Sequence, residues 1–154
     1  MKPSPSPKPT YLLGDHHSNY DDLLRVIIRK GLRNCRIIHV GDGEEGYPDY
    51  WDDQIAERLD NAFASLGIEY FSIRGNHSNP AVFDGSTMLP NFKLLPDYAR
   101  MEIDGQTWLF VGGAVSINRL YREPAKTWWP EEPMILREDL AGAADVLVTH
   151  AGPS

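Results

Sequence analysis

The sequence predicts an α/β fold built on a parallel β-sheet, and three observations lead to this prediction. Between residues 10 and 73, three apolar strand-like stretches alternate with two amphipathic helix-like stretches, an order that implies right-handed parallel crossovers. Asp104-Gly105 separates two further strand-like stretches and is a strong hairpin signal. Four predicted strands also end in polar clusters, which are "GDHH", "GDGEE", "RGNHS" and "THAGPS".

The first predicted strand and helix fall within residues 10–31. The stretch "TYLLG" is short and apolar, as expected for a buried strand. Ser18 or Asn19 can cap the helix that follows, and Gly31 supplies its end. The apolar stripe of this helix consists of Leu24, Ile27 and Ile28.

The remaining elements follow the same reasoning. "CRIIHV" and "IEYFSI" are buried strands, and the helix between them can be capped by Asp49 and ended by Gly67. The apolar face of that helix comprises Trp51, Ile55, Leu59 and Phe63. Alternating apolar residues predict the hairpin strands at 99–103 and 107–111. "PEEPMILREDLAG" and "ADVLVTHAGPS" predict a short helix and one more strand.

Length and composition indicate a soluble globular domain. The chain has 154 residues, of which 42% are hydrophobic, enough to form a core. No apolar run approaches the roughly 20 residues that span a bilayer, so we expect no membrane partner. "MKPSPSPKPT" lacks the apolar core of a signal peptide, so we expect no export. We predict a disordered Pro/Ser-rich tail at residues 1–9 and one domain at residues 10–154.

The cysteine content and the net charge restrict the function further. Cys35 is the single cysteine and begins an apolar strand, which fits a buried thiol and a cytoplasmic protein. The net charge is −7, and such a surface repels polyanions. The charge therefore disfavours a nucleic-acid partner but is compatible with a small phosphorylated substrate held by metal ions. The sequence leaves the oligomeric state open.

The polar clusters at the strand ends predict a metal site. In open α/β sheets, sites form outside the carboxyl ends of the strands, so these clusters should meet in space. Together they offer carboxylates, imidazoles and an amide oxygen, which suit Mn, Fe, Zn or Ni better than calcium. A carboxylate shared by two such cations permits two-metal hydrolysis of phosphate esters. The chain contains no G-x-S-x-G or G-x-x-x-x-G-K-[ST] motif that would indicate another mechanism.

These clusters resemble the ordered motifs of the calcineurin-like metallophosphoesterases. "GDHHSN", "GDGEE", "GNHS" and "VTHAGP" are similar to the family's Asp-x-His, Gly-Asp-x-x, Gly-Asn-His-Asp/Glu and strand-terminal His blocks. "NFKLLPD", "FVGGAVSINR" and "WWPEE" also look like small bacterial or phage members. The resemblance covers nearly the whole chain from Tyr11 onward. It implies an α/β sandwich, in which helices flank two mixed β-sheets.

The resemblance also implies a role for each matching residue. Asp15 and His17 would bind the first metal, and Asp42 would bridge both metals. Asn76, through its amide oxygen, and His150 would bind the second. The cofactor implied is a pair of transition-metal ions, with Mn preferred over Fe, Zn or Ni.

Two further residues are predicted to act on the substrate or beside it. His77 matches the family's non-ligand histidine, which stabilises the transition state or protonates the leaving oxygen, because imidazole titrates near neutrality. Together with Asn76, it is expected to contact the substrate. Arg74 either meets a substrate phosphate or only supports the loop, and the sequence leaves both roles open.

Other polar and aromatic residues near the motifs have structural interpretations. His39 lies inside a strand and is expected to be a satisfied core histidine. Glu44 and Glu45 are expected to form a solvated acidic loop. Trp128 and Trp129 are expected to pack in the core rather than to line a substrate lip.

The chain departs from the family pattern at three points. No Gly-His-x-His block follows His150, and in the family each histidine of that block completes one metal's shell. Its absence favours a C-terminally truncated or partly recorded chain over a naturally minimal enzyme. Ser18 replaces the usual glycine after Asp-x-His. Ser78 replaces the acidic residue after Asn-His and removes an acceptor that orients an imidazole.

Two functions from different classes follow. The first is hydrolysis of a phosphomonoester or phosphodiester, in which a hydroxide activated by two metal ions attacks phosphorus and His77 assists the leaving group. The second is a non-catalytic metal-binding or protein-interaction module, supported by the missing last block and by Ser78. A nuclease would use the same site but needs a basic approach groove, against which the net charge argues.

Overall fold

The structure, a computed structural model, describes residues 7–152 apart from the side chain of Asp53. In these residues the elements are β1 (Thr10–Leu13), α1 (Tyr20–Arg29), β2 (Arg36–His39), α2 (Asp53–Leu66), β3 (Glu69–Ser72), β4 (Phe92–Leu94), β5 (Ala99–Ile103), β6 (Gln106–Val111), α3 (Glu138–Ala141) and β7 (Val146–Thr149). Short 3₁₀ turns lie at Pro80–Phe83 and Arg119–Tyr121. The predicted tail at residues 1–9 stays a prediction, since residues 1–6 lie outside the described part.

The strands form two sheets. The first contains β1, β2, β3 and β4 in that order, and every neighbouring pair is parallel. In the second, β5 and β6 form the antiparallel hairpin, and β7 pairs with β6 in parallel. The predicted α/β fold with two sheets is confirmed, and within the described residues the second sheet is the mixed one. The four polar clusters follow β1, β2, β3 and β7.

Two apolar layers hold these elements together. The layer between the first sheet and the helices includes Ile27, Ile37, Leu59, Phe63 and Tyr70. The layer between the two sheets includes Ile38, Phe71, Phe110 and Val148. Successive side chains of a strand point to opposite faces, so the neighbours Ile37 and Ile38 enter different layers. Each such side chain contributes about 1.5–3 kcal/mol on burial, which makes the first sheet a rigid support for the loops at its edge.

The helix starts differ from the predictions. Helix α2 begins at Asp53, and its N-cap is Asp52, whose carboxylate accepts the Ile55 N–H at 2.8 Å. The prediction that Asp49 caps this helix is therefore wrong. Asn19 occupies the N-cap position of α1 without a capping side-chain bond, and the hydroxyl of Ser18 instead donates to Glu44. Ser18 therefore bonds to the acidic loop after β2 and does not cap the helix.

Two strands also differ from expectation. β1 was predicted to be buried, but it is an edge strand, and Leu12 is 67% exposed. β4 was not predicted, because three residues are too few to show a periodic pattern. No helix in residues 7–152 is both long and apolar enough to cross a membrane.

Candidate metal centre

The loops after β1 and β2 are joined by their backbones. The N–H of His17 donates to the carbonyl of Asp42 at 3.0 Å, and the N–H of Ser18 donates to the carbonyl of Gly43 at 3.2 Å. His17 and Asp42 both have positive φ, 44° and 63°, so each loop turns sharply as it leaves its strand. These turns bring the first two polar clusters together, as parallel strand ends should.

Asp15, His17 and Asp42 form the first candidate ligand group. One donor atom of each lies within 4.8 Å of the others. His17 Nδ1 lies 3.1 Å from Glu44 Oε1, and a carboxylate can only accept. The Nδ1 atom therefore carries the hydrogen, and Nε2 keeps a lone pair for a cation.

Asp42, Asn76 and His150 form the second group. His150 Nε2 lies 3.0 Å from Asn76 Oδ1 and 3.5 Å from Asp42 Oδ1. His150 Nδ1 lies 2.7 Å from the carbonyl oxygen of Val40, so the hydrogen of a neutral ring sits on Nδ1. Nε2 then faces two oxygens as a third lone-pair donor. Three lone-pair donors so placed could hold a metal ion among them.

The residues present fit a pair of metal ions. Asp42 belongs to both groups, which is the position a bridging carboxylate needs. It is only 4% exposed, and its Oδ1 also accepts the backbone N–H of His77 at 2.7 Å, which fixes the carboxylate in place. Imidazole, carboxylate and amide oxygen together suit Mn, Fe, Zn or Ni. The described residues provide three candidate ligands to each position.

His77 lies beside these two groups, and one of its donor atoms is within 4.8 Å of donor atoms of His17 and Glu44. Its ring meets the His17 ring edge-on, with centroids 5.1 Å apart, and its Nδ1 lies 3.4 Å from the Tyr47 hydroxyl. Partial burial and the Arg122 guanidinium lower the pKa of His77, against the opposing attraction of Asp42. Trp129 is buried against the Tyr47 ring, with centroids 5.2 Å apart, so it packs behind the site.

Comparison with protein families identifies the family of the chain. The family model for calcineurin-like phosphoesterases matches residues 8–154. The chain belongs to this family. No curated protein and no solved structure gives a significant match. The predicted fold and family are thus confirmed, and the phosphoesterase family implies metal-dependent hydrolysis of phosphate esters in general terms.

Arg74, which precedes the phosphoesterase Gly-Asn-His motif, is turned away from the ligand groups. It is 4% exposed, and its Nε and Nη2 donate to the Asp97 carboxylate at 2.6–3.1 Å. Its other N–H groups donate to the carbonyls of Glu131, Glu132 and Pro133. All five donors therefore have protein partners. Of the two roles that the sequence leaves open, these contacts favour support of the loop over contact with substrate.

The acidic loop after β2 contains a buried carboxylate. Glu45 is 0% exposed, so the prediction of a solvated position is wrong for this residue. It accepts from the hydroxyls of Ser78 at 2.8 Å, Ser72 at 2.9 Å and Tyr20 at 3.0 Å. Ser78, which replaces the family's acidic residue, thus faces a carboxylate supplied by another loop. Glu44 is partly buried and faces His17.

Two histidines behind the site, His16 and His39, each have one ring nitrogen without a hydrogen-bond partner within the described residues. His39 is fully buried and its Nδ1 lies 2.9 Å from Ser72 Oγ, but its Nε2 has no hydrogen-bond partner within the described residues. The predicted core position is correct, but the ring is only half satisfied. Burial and the neighbouring His39 lower the pKa of His16 to about 4, so His16 stays neutral near pH 7.

Three polar residues reach the site from the segment after β6. Arg122 donates to the carbonyl of Asn76 at 3.1 Å and to the Tyr47 hydroxyl at 2.6 Å. Ser116 accepts from the Asn76 amide, and Glu132 accepts from Ser116. No spacing in the sequence points to these residues, because they lie 40 or more positions from Asn76. The similarity of "FVGGAVSINR" and "WWPEE" to small family members is a signal for Ser116 and Glu132, but Arg122 lies between these two stretches and has none.

Proposed function

We propose that the chain hydrolyses a phosphomonoester or a phosphodiester with two metal ions, one at each ligand group. The observation that carries the proposal is the shared carboxylate of Asp42, which lies against Asp15 and His17 on one side and His150 on the other. Two cations so placed would activate water and neutralise the phosphoryl oxygens. Mn²⁺ is the proposed metal because the donor set mixes nitrogen and hard oxygen.

The protein's own groups would orient the substrate. His77 lies within reach of the first group and would donate a hydrogen bond to a phosphoryl or leaving oxygen. Asn76 would contact the substrate from the second group. The net charge of −7 favours a small phosphorylated molecule over a polyanion. A cytoplasmic location, suggested by the single cysteine, belongs to the same proposal.

The first test replaces the shared carboxylate. Purified wild-type protein and Asp42→Ala would be dialysed against Mn²⁺, and bound metal would be measured by plasma mass spectrometry. The same samples would be assayed with bis-nitrophenyl phosphate and nitrophenyl phosphate. We expect close to two metals per chain and turnover in the wild type. In Asp42→Ala we expect loss of at least one metal and a rate reduced at least 10³-fold, in the range that removal of a catalytic electrostatic group produces.

The control is Asp49→Ala, which removes an exposed carboxylate outside both ligand groups and should change neither quantity. Turnover that survives in Asp42→Ala would contradict the bridging role. Two metals without turnover in the wild type would favour the alternative function, a non-catalytic metal-binding or interaction module. That alternative is supported by the count of three ligands per position in the described residues.

A further inference from the structure

We propose that Ser116, held by Glu132, is a positioning residue that turns the oxygen of the Asn76 amide toward the second metal position. The inference rests on the proposed function, since it concerns a ligand of that metal. An asparagine amide has nearly the same shape after a 180° rotation, which exchanges its oxygen and its NH₂ group. Only the oxygen can bind a cation, so something must select the correct orientation.

The selection starts with a buried serine and glutamate pair. Ser116 is 2% exposed and Glu132 is 1% exposed. The backbone N–H of Ser116 donates to Glu132 Oε1 at 2.6 Å, and its hydroxyl lies 3.0 Å from Oε2. A carboxylate only accepts, so the single hydroxyl hydrogen of Ser116 points at Glu132.

The Ser116 hydroxyl therefore presents only lone pairs to its other neighbours. Asn76 Nδ2 lies 3.0 Å from this oxygen and must be the donor of that contact. The amide oxygen is then on the opposite side, where it lies 3.0 Å from His150 Nε2. The NH₂ group in that place would set a partial positive charge against the metal ion.

Arg122 completes the arrangement. Its Nη1 also donates to the Ser116 hydroxyl, so that oxygen donates one hydrogen bond and accepts two. The same nitrogen lies 3.6 Å from Glu132 Oε2 and gives the buried carboxylate a counter-charge. A hydroxyl with this full set of partners has no freedom to donate to Asn76.

The test measures Mn²⁺ affinity directly, by isothermal titration calorimetry of the full chain. Ser116→Ala removes the acceptor that holds the amide. Glu132→Gln keeps the shape of the side chain but disturbs the same chain of hydrogen bonds from Glu132 through Ser116 to Asn76. Its carbonyl must accept the fixed backbone N–H of Ser116, so its NH₂ group would face the Ser116 hydroxyl and release the hydroxyl hydrogen toward Asn76. We expect each variant to weaken the second Mn²⁺ site by 10- to 100-fold, as other removals of outer partners do.

Repeating both substitutions in an Asn76→Asp protein separates an effect on the orientation of the amide from general structural support. Asn76→Asp provides a carboxylate, whose two oxygens can both bind metal, so no orientation has to be selected. We expect Ser116→Ala and Glu132→Gln to change Mn²⁺ affinity by less than about threefold in that background. Melting of every variant in EDTA would check the fold, and Glu132→Gln carries the test if Ser116→Ala does not fold.

The outcomes are distinct. Losses that occur when Asn76 is present and disappear in the Asn76→Asp background support the inference. Equal losses with and without Asn76→Asp, or no loss in either case, would overturn it while leaving the proposed function standing. A wild-type chain that binds no Mn²⁺ at all would overturn the proposed function and this inference with it.

Discussion

At the scale of single residues, each imidazole of the two ligand groups is fixed through one ring nitrogen. Nδ1 of His150 donates to the Val40 carbonyl at 2.7 Å, and Nδ1 of His17 faces Glu44 at 3.1 Å. Metal-binding histidines usually have such a partner, which sets the tautomer and the direction of the ring. Glu44, expected from the sequence to be a solvated residue, therefore has a specific place in the site.

A prediction for Glu44 distinguishes an orienting carboxylate from a metal ligand. Glu44→Ala removes the acceptor of His17 Nδ1 and should weaken Mn²⁺ binding about 10-fold or more by calorimetry. Glu44→Gln should stay within about threefold of the wild type, because its amide oxygen can still accept from Nδ1 while its NH₂ group faces Ser18.

The contrary outcome has a definite meaning. Donor atoms of His17, Glu44 and His77 also lie within 4.8 Å of one another. If Glu44→Gln weakens Mn²⁺ binding as much as Glu44→Ala, the carboxylate itself binds a metal in this second arrangement. The role of Glu44 as an orienting group would then be wrong.

At the scale of elements, the site depends on how closely the strand-end loops approach one another. Gly41 follows β2 with φ of 109°, a conformation that side chains rarely adopt. A Cβ atom on Gly41 would lie 2.5 Å from His150 Nδ1, and one on Gly75 would overlap the Asp42 carboxylate. The two glycines thus allow the loops after β2, β3 and β7 to bring their candidate ligands close together.

Gly41→Ala should therefore damage the second metal position. We expect the added methyl group to displace His150, so that calorimetry shows about one Mn²⁺ per chain, together with about 1–3 kcal/mol lower stability from backbone strain. Gly105→Ala is the control, because Gly105 has φ of 80° and nothing within 4 Å of the added Cβ. The Gly105→Ala variant should lose stability but should keep the Mn²⁺ binding of the wild type. Two metals of unchanged affinity in Gly41→Ala would contradict the proposed placement of His150.

The sequence could predict the strand ends but not the contacts between loops. The sequence predicts that Asp15, Asp42 and Asn76 converge because they follow parallel strands of one sheet, whose carboxyl ends meet at one edge. His150 follows β7 of the second sheet, so its approach to them depends on the packing of the two sheets. The burial of Glu45 depends on hydroxyls contributed by α1, β3 and the loop after β3. Such pairing leaves no periodic or spacing signal, so an acidic turn looks the same whether it is solvated or buried.

At the scale of the whole molecule, Glu45 joins several elements behind the metal centre. Its carboxylate accepts from Tyr20 on α1 and Ser72 on β3, and its backbone carbonyl accepts the N–H of Asn79 at 2.8 Å. His39 on β2 lies 3.7 Å from the same carboxylate. The loop that contains Asp42 is thereby tied to α1 and to the first sheet.

This network makes stability depend on pH. Burial alone would raise the pKa of Glu45, but the interaction with the neighbouring His39 ring and hydrogen bonding outweigh it and lower the pKa to about 2. An unfolded glutamate has a pKa of about 4.3. Between these values the unfolded chain binds more protons than the folded one, so the stabilisation is complete above pH ~5 and is lost as pH falls toward 2.

Glu45→Gln tests this account by urea unfolding in EDTA, which removes any contribution from metal ions. At pH 7 the variant should be less stable than the wild type by about 1–3 kcal/mol, since it loses an ionised acceptor of several hydrogen bonds. The difference should shrink steadily as the pH falls from 5 to 3, because the wild-type carboxyl then becomes protonated on unfolding. Glu57→Gln, which changes an exposed glutamate of α2, should show no such pH dependence.

A difference between Glu45→Gln and the wild type that stays constant from pH 7 to pH 3 would mean that Glu45 stabilises the fold by packing and not by charge. Its effect on the loop of Asp42 would then be independent of ionisation.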